Sequence, residues 1–85
     1  MELNNKELEE LLTINEQAKT LVRGLTYCDE LGKEIFNCIK NKSKLSRENI
    51  KRAHNNYLAL YFLINLNYFD SEVFEKLDNY MNNEY

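Results

Sequence analysis

The strongest constraint on the fold is the spacing of apolar residues over the first half of the chain. They recur in alternating steps of three and four, at Leu11, Ile14, Ala18, Leu21, Leu25, Cys28, Gly32, Ile35 and Ile39. This heptad spacing is typical of helices that bury one face. The 85-residue chain has no proline and two glycines, fewer turn residues than a β-domain of this size normally uses. The sequence therefore predicts an all-α fold in one domain, residues 1–85.

Gly24 leaves two arrangements of this segment open. In a continuous helix the glycine lowers stability by ~1 kcal/mol, and the heptad phase runs through it. Alternatively the helix ends at Gly24, and Thr26 caps a second helix. Because the heptad phase does not slip at Gly24, the pattern favours a continuous or kinked helix, with the broken helix as the alternative.

Local signals mark where the first helix begins. Asn4 and Glu7 have the spacing of a capping box, in which each residue bonds the backbone N–H of the other. Leu3 and Leu8 have the spacing of a hydrophobic staple across the same turn. The sequence therefore predicts a helix that begins directly after Asn4.

Two further helix starts follow. A polar connector, residues 41–46, ends the first segment; Ser46 is placed to cap the next helix, with Leu45 and Ile50 as its staple. Asp70 is placed to cap a last helix. The apolar face of that last helix is predicted to consist of Val73, Leu77, Tyr80 and Met81.

Residues 53–69 contain no Lys, Arg, Asp or Glu, in a chain with 29% charged residues. The middle helix is predicted to run through this block to about Asn67. One face should pack on the first helix and carries Ile50, Ala53, Tyr57, Leu60, Tyr61 and Ile64. The opposite face is apolar only in the second half, where the last helix should cover Ala59, Phe62, Leu63 and Leu66.

The predicted architecture is an antiparallel bundle of three to four helices. A continuous first helix of ~37 residues would be ~55 Å long, whereas the middle helix of ~21 residues would reach only ~32 Å. The middle helix would then leave much of the heptad stripe uncovered, and a homodimer would solve this. Its interface residues would be Leu8, Leu11, Ile14, Ala18 and Leu21. A monomeric four-helix bundle broken at Gly24 is the competing solution.

Few residues point to catalysis or to a bound cofactor. The single histidine, His54, has no metal-ligand or nucleophile pattern around it, and there is no glycine-rich phosphate loop. We expect no enzyme activity, no metal and no cofactor. The free thiols of Cys28 and Cys38 and an acidic N-terminus without a signal peptide favour the cytoplasm. The longest apolar run is too short to span a membrane, which needs ~20 residues.

The clearest candidate for binding is a cluster of cations in a chain of net charge −3. Six of the eleven basic residues fall within thirteen positions; this basic connector consists of Lys40, Lys42, Lys44, Arg47, Lys51 and Arg52. It is either a solvated connector or a contact for phosphates or an acidic partner. Tyr80 and Tyr85 are further candidates, because tyrosine is frequent at interface hot spots.

These features predict a small protein that binds another macromolecule. The leading hypothesis is a protein-binding inhibitor or adaptor of antitoxin, immunity or anti-defence type. The 13 asparagines favour an AT-rich bacterium, phage or plasmid as its source. Its candidate surfaces are the basic connector and the acidic residues near the two chain ends. The alternatives are a regulator that binds nucleic acid through the basic connector, and a structural or assembly subunit.

Overall fold

A computed structural model describes residues 2–21, 28–63 and 72–84, and these form a bundle of four α-helices. Helix α1 spans Asn5–Leu21, α2 Cys28–Asn41, α3 Arg47–Leu63 and α4 Glu72–Glu84. The all-α helical bundle predicted from the sequence is confirmed. Within the described ranges, no helix is both long and apolar enough to cross a bilayer.

The start of α1 forms as predicted. The Asn4 N–H donates to Glu7 Oε1 at 2.9 Å, and the Glu7 N–H donates to Asn4 Oδ1 at 2.8 Å. These reciprocal bonds are the capping box, and they satisfy backbone donors that a helix start would otherwise leave unpaired. Leu8 is buried and Leu3 packs against the same core, which confirms the staple.

The favoured continuous first helix is wrong, because α1 and α2 are separate helices packed side by side in opposite directions. Leu8 near the start of α1 and Cys38 near the end of α2 line one cavity. At the other end Lys19 pairs with Asp29. Gly24 and Thr26 lie outside the described residues. Each of the two helices needs only its own apolar face turned toward the core, so the unbroken heptad phase was not evidence for a single helix.

Helices α1 and α2 approach closely at Gly32. A β-carbon built there would lie 3.0 Å from Asn15 Nδ2 on α1. Asn15 cannot move away freely, because its Nδ2 donates to the Cys28 carbonyl at 2.8 Å and its Oδ1 accepts from Asn56 Nδ2 at 2.9 Å. The glycine in the heptad stripe therefore makes room for a buried polar contact that ties α1, α2 and α3 together.

The connector between α2 and α3 turns sharply. Lys42 has a positive φ of 53°, and the Ser43 N–H donates to the Cys38 carbonyl at 3.0 Å. This is the Schellman arrangement that commonly ends a helix, with lysine at the position that glycine usually holds. Ser46 then caps α3 as predicted, since its Oγ accepts from the Asn49 N–H at 3.3 Å. The predicted staple, Leu45 with Ile50, is buried on both sides.

Helix α4 covers a different face of α3 from the one predicted. The ring of Phe74 lies 5.5 Å from that of Tyr57, 6.0 Å from that of Tyr61 and 6.2 Å from that of His54. Phe62, which α4 was predicted to cover, is 81% exposed. The inner face of α4 is as predicted, with Val73 and Leu77 fully buried. Asp70, the predicted cap, and Leu66 lie outside the described residues.

The stripe predicted to form a dimer interface is mostly covered within one chain. Leu8, Leu11, Ile14 and Ala18 are between 0% and 8% exposed, whereas Leu21 is 52% exposed. The α1–α2 pairing removes the length mismatch from which the dimer was inferred. These four residues are core residues, and they are not available to a second chain while the bundle is folded.

Candidate interaction surfaces

The basic connector lies at the end of the bundle where α2 ends and α3 begins. Lys40 and Lys42 are exposed, and among the described residues they make no ion pair. Lys44 is also exposed, but its Nζ lies 2.9 Å from Glu2 Oε1. The hydrogen bond and the charge of Lys44 lower the pKa of Glu2. One acidic residue from the N-terminal segment is thus folded back onto the basic connector.

Arg52 is the connector cation most enclosed by acids. Its guanidinium lies 3.9 Å from Glu30 of α2 and 3.7 Å from Glu48 one turn before it on α3. It also donates to Asn49 Oδ1 at 3.4 Å. Positive and negative groups therefore alternate across this part of the basic connector, and its field is weaker than the sequence cluster suggests.

Two sequence-predicted candidates meet directly. Arg47 Nε donates to the Tyr80 hydroxyl at 3.0 Å, which joins the start of α3 to the last part of α4. Tyr80 packs partly against the core, and its hydrogen bond with Arg47 is exposed. Tyr85 lies outside the described residues.

The acidic residues near the N-terminus differ in exposure. Glu7 is buried, whereas the other acidic residues of that segment, beginning with Glu2, are exposed or partly exposed.

The outer face of α3 is a surface that the sequence did not predict. It consists of Glu48, Arg52, Asn55, Ala59 and Phe62, which follow one another in steps of three and four. Glu48 and Arg52 form its charged end, and Asn55 and Ala59 form its middle. Its far end carries the exposed Phe62 ring. Tyr61, 37% exposed, meets that ring edge-on at 5.8 Å between centroids. The sequence held one signal of this surface. Phe62 lies seven positions after the polar Asn55 and fourteen after Glu48, a spacing that places all three on one face of a helix.

A second surface with an exposed aromatic ring is the groove between α1 and α2. We call it the α1–α2 groove; it is lined by Leu12, Glu16, Asp29, Gly32, Lys33 and Phe36. Phe36 is 55% exposed, and Leu12 packs only partly against the core. The hydrogen bond and the charge of Lys19 lower the pKa of Asp29 at one end of the groove. The α1–α2 groove thus has an apolar floor between charged walls.

The groups most often used in catalysis are engaged inside the bundle. His54 is 8% exposed, and its Nε2 lies 3.3 Å from Asp78 Oδ1 on α4. Burial raises the pKa of the Cys28 thiol, which makes it a poorer nucleophile at neutral pH. Cys28 and Cys38 are both free and buried. Within the described part of the chain, no three His, Cys, Asp or Glu side chains are grouped to hold a metal ion.

Comparison with known proteins adds no relative. No protein family, curated protein or solved structure matches this chain.

Proposed function

We propose that this protein binds another protein through the outer face of α3 and acts as a non-enzymatic inhibitor or adaptor. The antitoxin, immunity and anti-defence proteins of bacteria and their mobile elements are the class intended. A cytoplasmic location is part of the proposal, because the two free thiols suit a reducing compartment.

The observation that carries the proposal is the exposure of Phe62. Phenylalanine is among the residues most often buried, yet this ring is 81% exposed on a helix whose other face is core. Covering such a ring stabilises a complex by about 1.5–3 kcal/mol. Aromatic side chains with a surrounding polar rim are typical of the centre of protein interfaces. Asn55 and Arg52 supply that rim on the same face of α3.

The charges around the basic connector favour a protein partner over nucleic acid. Binding to a phosphate backbone depends on cations that are free to replace counterions. Lys44 and Arg52 already face Glu2, Glu30 and Glu48. Alternating charges suit the polar rim of a protein interface better, because they fix its register.

Site-specific crosslinking tests the proposal. Benzoylphenylalanine, a photoreactive analogue of phenylalanine, replaces Phe62 in one variant and the exposed Asn79 of α4 in a control variant. Illumination in a lysate of the native source should join one protein to position 62 in a one-to-one adduct, and the control position should not yield it. Adducts with nucleic acid, or the same adducts from both positions, would contradict the proposal.

A further inference from the structure

We propose that a second copy of this chain covers the α1–α2 groove, in a two-fold dimer that packs α1 of each protomer on α2 of the other. This differs from the dimer predicted from the sequence, because four of its five interface residues are buried in the core and only Leu21 is exposed. It is also independent of the partner proposed for the outer face of α3.

The floor of the α1–α2 groove supplies the apolar part of such an interface. Phe36 is 55% exposed, and Leu12 and Gly32 line the same groove. Two copies meeting across this floor would bring two Phe36 rings and two Leu12 side chains together. The rings would then be removed from water at the centre of the contact, where aromatic anchors contribute most.

The charges on the walls identify the occupant. Glu16 of α1 and Asp29 and Lys33 of α2 line the groove. The exposed Glu9 and Lys19 lie seven residues before and three after Glu16 on α1, and the exposed Lys40 lies seven residues after Lys33 on α2, so helical spacing places them along the same two walls. Along the groove the charges pair as Glu9 with Lys40, Glu16 with Lys33 and Lys19 with Asp29. The first two are acidic on α1 and basic on α2, and the third pair has the opposite signs. Each of these three charges on α1 thus has an opposite charge on α2.

These opposite charges also lie at matching heights. The ion pair between Lys19 and Asp29 fixes the level of the two antiparallel helices. From that pair, Glu16 is three residues away on α1 and Lys33 is four away on α2, or ~4.5 Å and ~6 Å along the axes. By the same count Glu9 and Lys40 lie ~15 Å and ~16.5 Å away.

A two-fold axis parallel to the groove uses this arrangement fully. It places α1 of one copy over α2 of the other at the same height, so Glu16 faces the second copy's Lys33, and Glu9 faces the second copy's Lys40. An axis across the helices would instead place α1 on α1, with acidic residues opposing each other. In a two-fold dimer, the same surface patch of each copy forms the interface. The charges within that patch must therefore complement one another.

Charge reversal in solution tests the dimer. Sedimentation equilibrium of the native chain at high micromolar concentration should show a species of twice 10.2 kDa. Glu16→Lys alone and Lys33→Glu alone should each weaken the dimer by about tenfold or more, because each creates two like-charged contacts. An equimolar mixture of the two variants should restore it, since both contacts then pair opposite charges. The reversal Glu75→Lys on exposed α4 should leave the association unchanged.

The two exposed phenylalanines separate this inference from the proposed function. Phe36→Ser should abolish the dimer and leave partner binding intact, whereas Phe62→Ser should weaken partner binding and leave the dimer intact. A 10.2 kDa monomer at high micromolar concentration would overturn the dimer. So would a dimer that survives Phe36→Ser, or two charge-reversed variants that stay monomeric when mixed. Circular dichroism checks that each variant is folded, which is expected because Glu16, Lys33 and Phe36 are all exposed.

Discussion

Asn56 of α3 donates a hydrogen bond from its side-chain nitrogen to the side-chain oxygen of Asn15 on α1, at 2.9 Å, and both side chains are at most 2% exposed. Asn15 in turn donates to the Cys28 carbonyl at the start of α2. Three helices therefore meet at one buried polar contact, and its bonds are satisfied only in one register of the bundle. Such a contact contributes to a unique arrangement as well as to stability.

Replacing one asparagine of this pair should destabilise the protein more than the small change in side-chain volume suggests. Asn56→Leu leaves the Asn15 oxygen buried without its donor, and we expect the free energy of unfolding to fall by about 1–3 kcal/mol. The double variant Asn15→Leu with Asn56→Leu should lose less than the sum of the two single losses. Urea unfolding of the four proteins measures this. Asn55→Leu, at the exposed neighbouring position, is the control and should change stability by less than about 0.5 kcal/mol. Strictly additive losses would show that the two asparagines do not depend on each other.

Gly32→Ala should destabilise the protein although alanine is the better helix former. The helix propensity gained is up to about 1 kcal/mol. The new methyl group, however, would lie 3.0 Å from Nδ2 of Asn15, and hydrogen bonds at both Nδ2 and Oδ1 hold this side chain in place. Thermal melts should therefore show a lower melting temperature than the native chain. A higher one would mean that α1 and α2 can separate slightly without disturbing Asn15.

Lys42→Gly should stabilise the connector. Lys42 has a φ of 53° at the end of α2, a conformation that glycine adopts without strain. We expect a gain of up to about 1 kcal/mol in the free energy of unfolding. Lys40→Gly, two residues earlier and inside the helix, removes the same charge and should lower stability by about 1 kcal/mol. If both variants shift stability the same way, the effect comes from charge rather than from backbone conformation.

The pH dependence of stability should reflect Glu7. Burial would raise the pKa of this carboxyl, but the hydrogen bond from Lys76 Nζ at 2.6 Å, the Asn4 N–H and the charge of Lys76 together lower it. A lowered pKa in the folded state stabilises the fold above the ordinary value of 4.5, and this contribution is lost as the pH falls through the folded pKa.

Glu7→Gln tests that assignment. At neutral pH we expect it to lower the free energy of unfolding by about 1–2 kcal/mol, less than for a fully enclosed pair because Lys76 is 44% exposed. Stability measured between pH 3 and 7 should fall less steeply in the variant than in the native chain. Equal slopes in Glu7→Gln and the native chain would assign the acid sensitivity to another carboxyl.

The sequence predicted the features of this fold that depend on neighbours along the chain. The Asn4–Glu7 capping box and the Ser46 cap need only residues three positions apart, and both formed. The heptad pattern located apolar faces, but it could not distinguish one long helix from two that share a core. Phe62 shows the same limit. A helical wheel says on which side its ring lies, and only the position of α4 against Tyr57 says that the ring stays uncovered.

The candidate surfaces also differ in how far the sequence alone predicts them. The cluster of cations in the basic connector is visible in the sequence, whereas the ion pairs of Arg52 with Glu30 and of Lys44 with Glu2 join separate elements. The α1–α2 groove exists only because those helices fold against each other, so no local pattern around Phe36 could have predicted it.

Calorimetric titration of the partner protein that crosslinks at position 62 measures binding through the outer face of α3. The purified partner should bind the native chain and the Phe36→Ser variant with the same dissociation constant. Phe62→Ser should weaken binding by about tenfold or more, which corresponds to a loss of at least ~1.4 kcal/mol, while its melting temperature stays that of the native chain. Unchanged affinity in Phe62→Ser would contradict binding through this face.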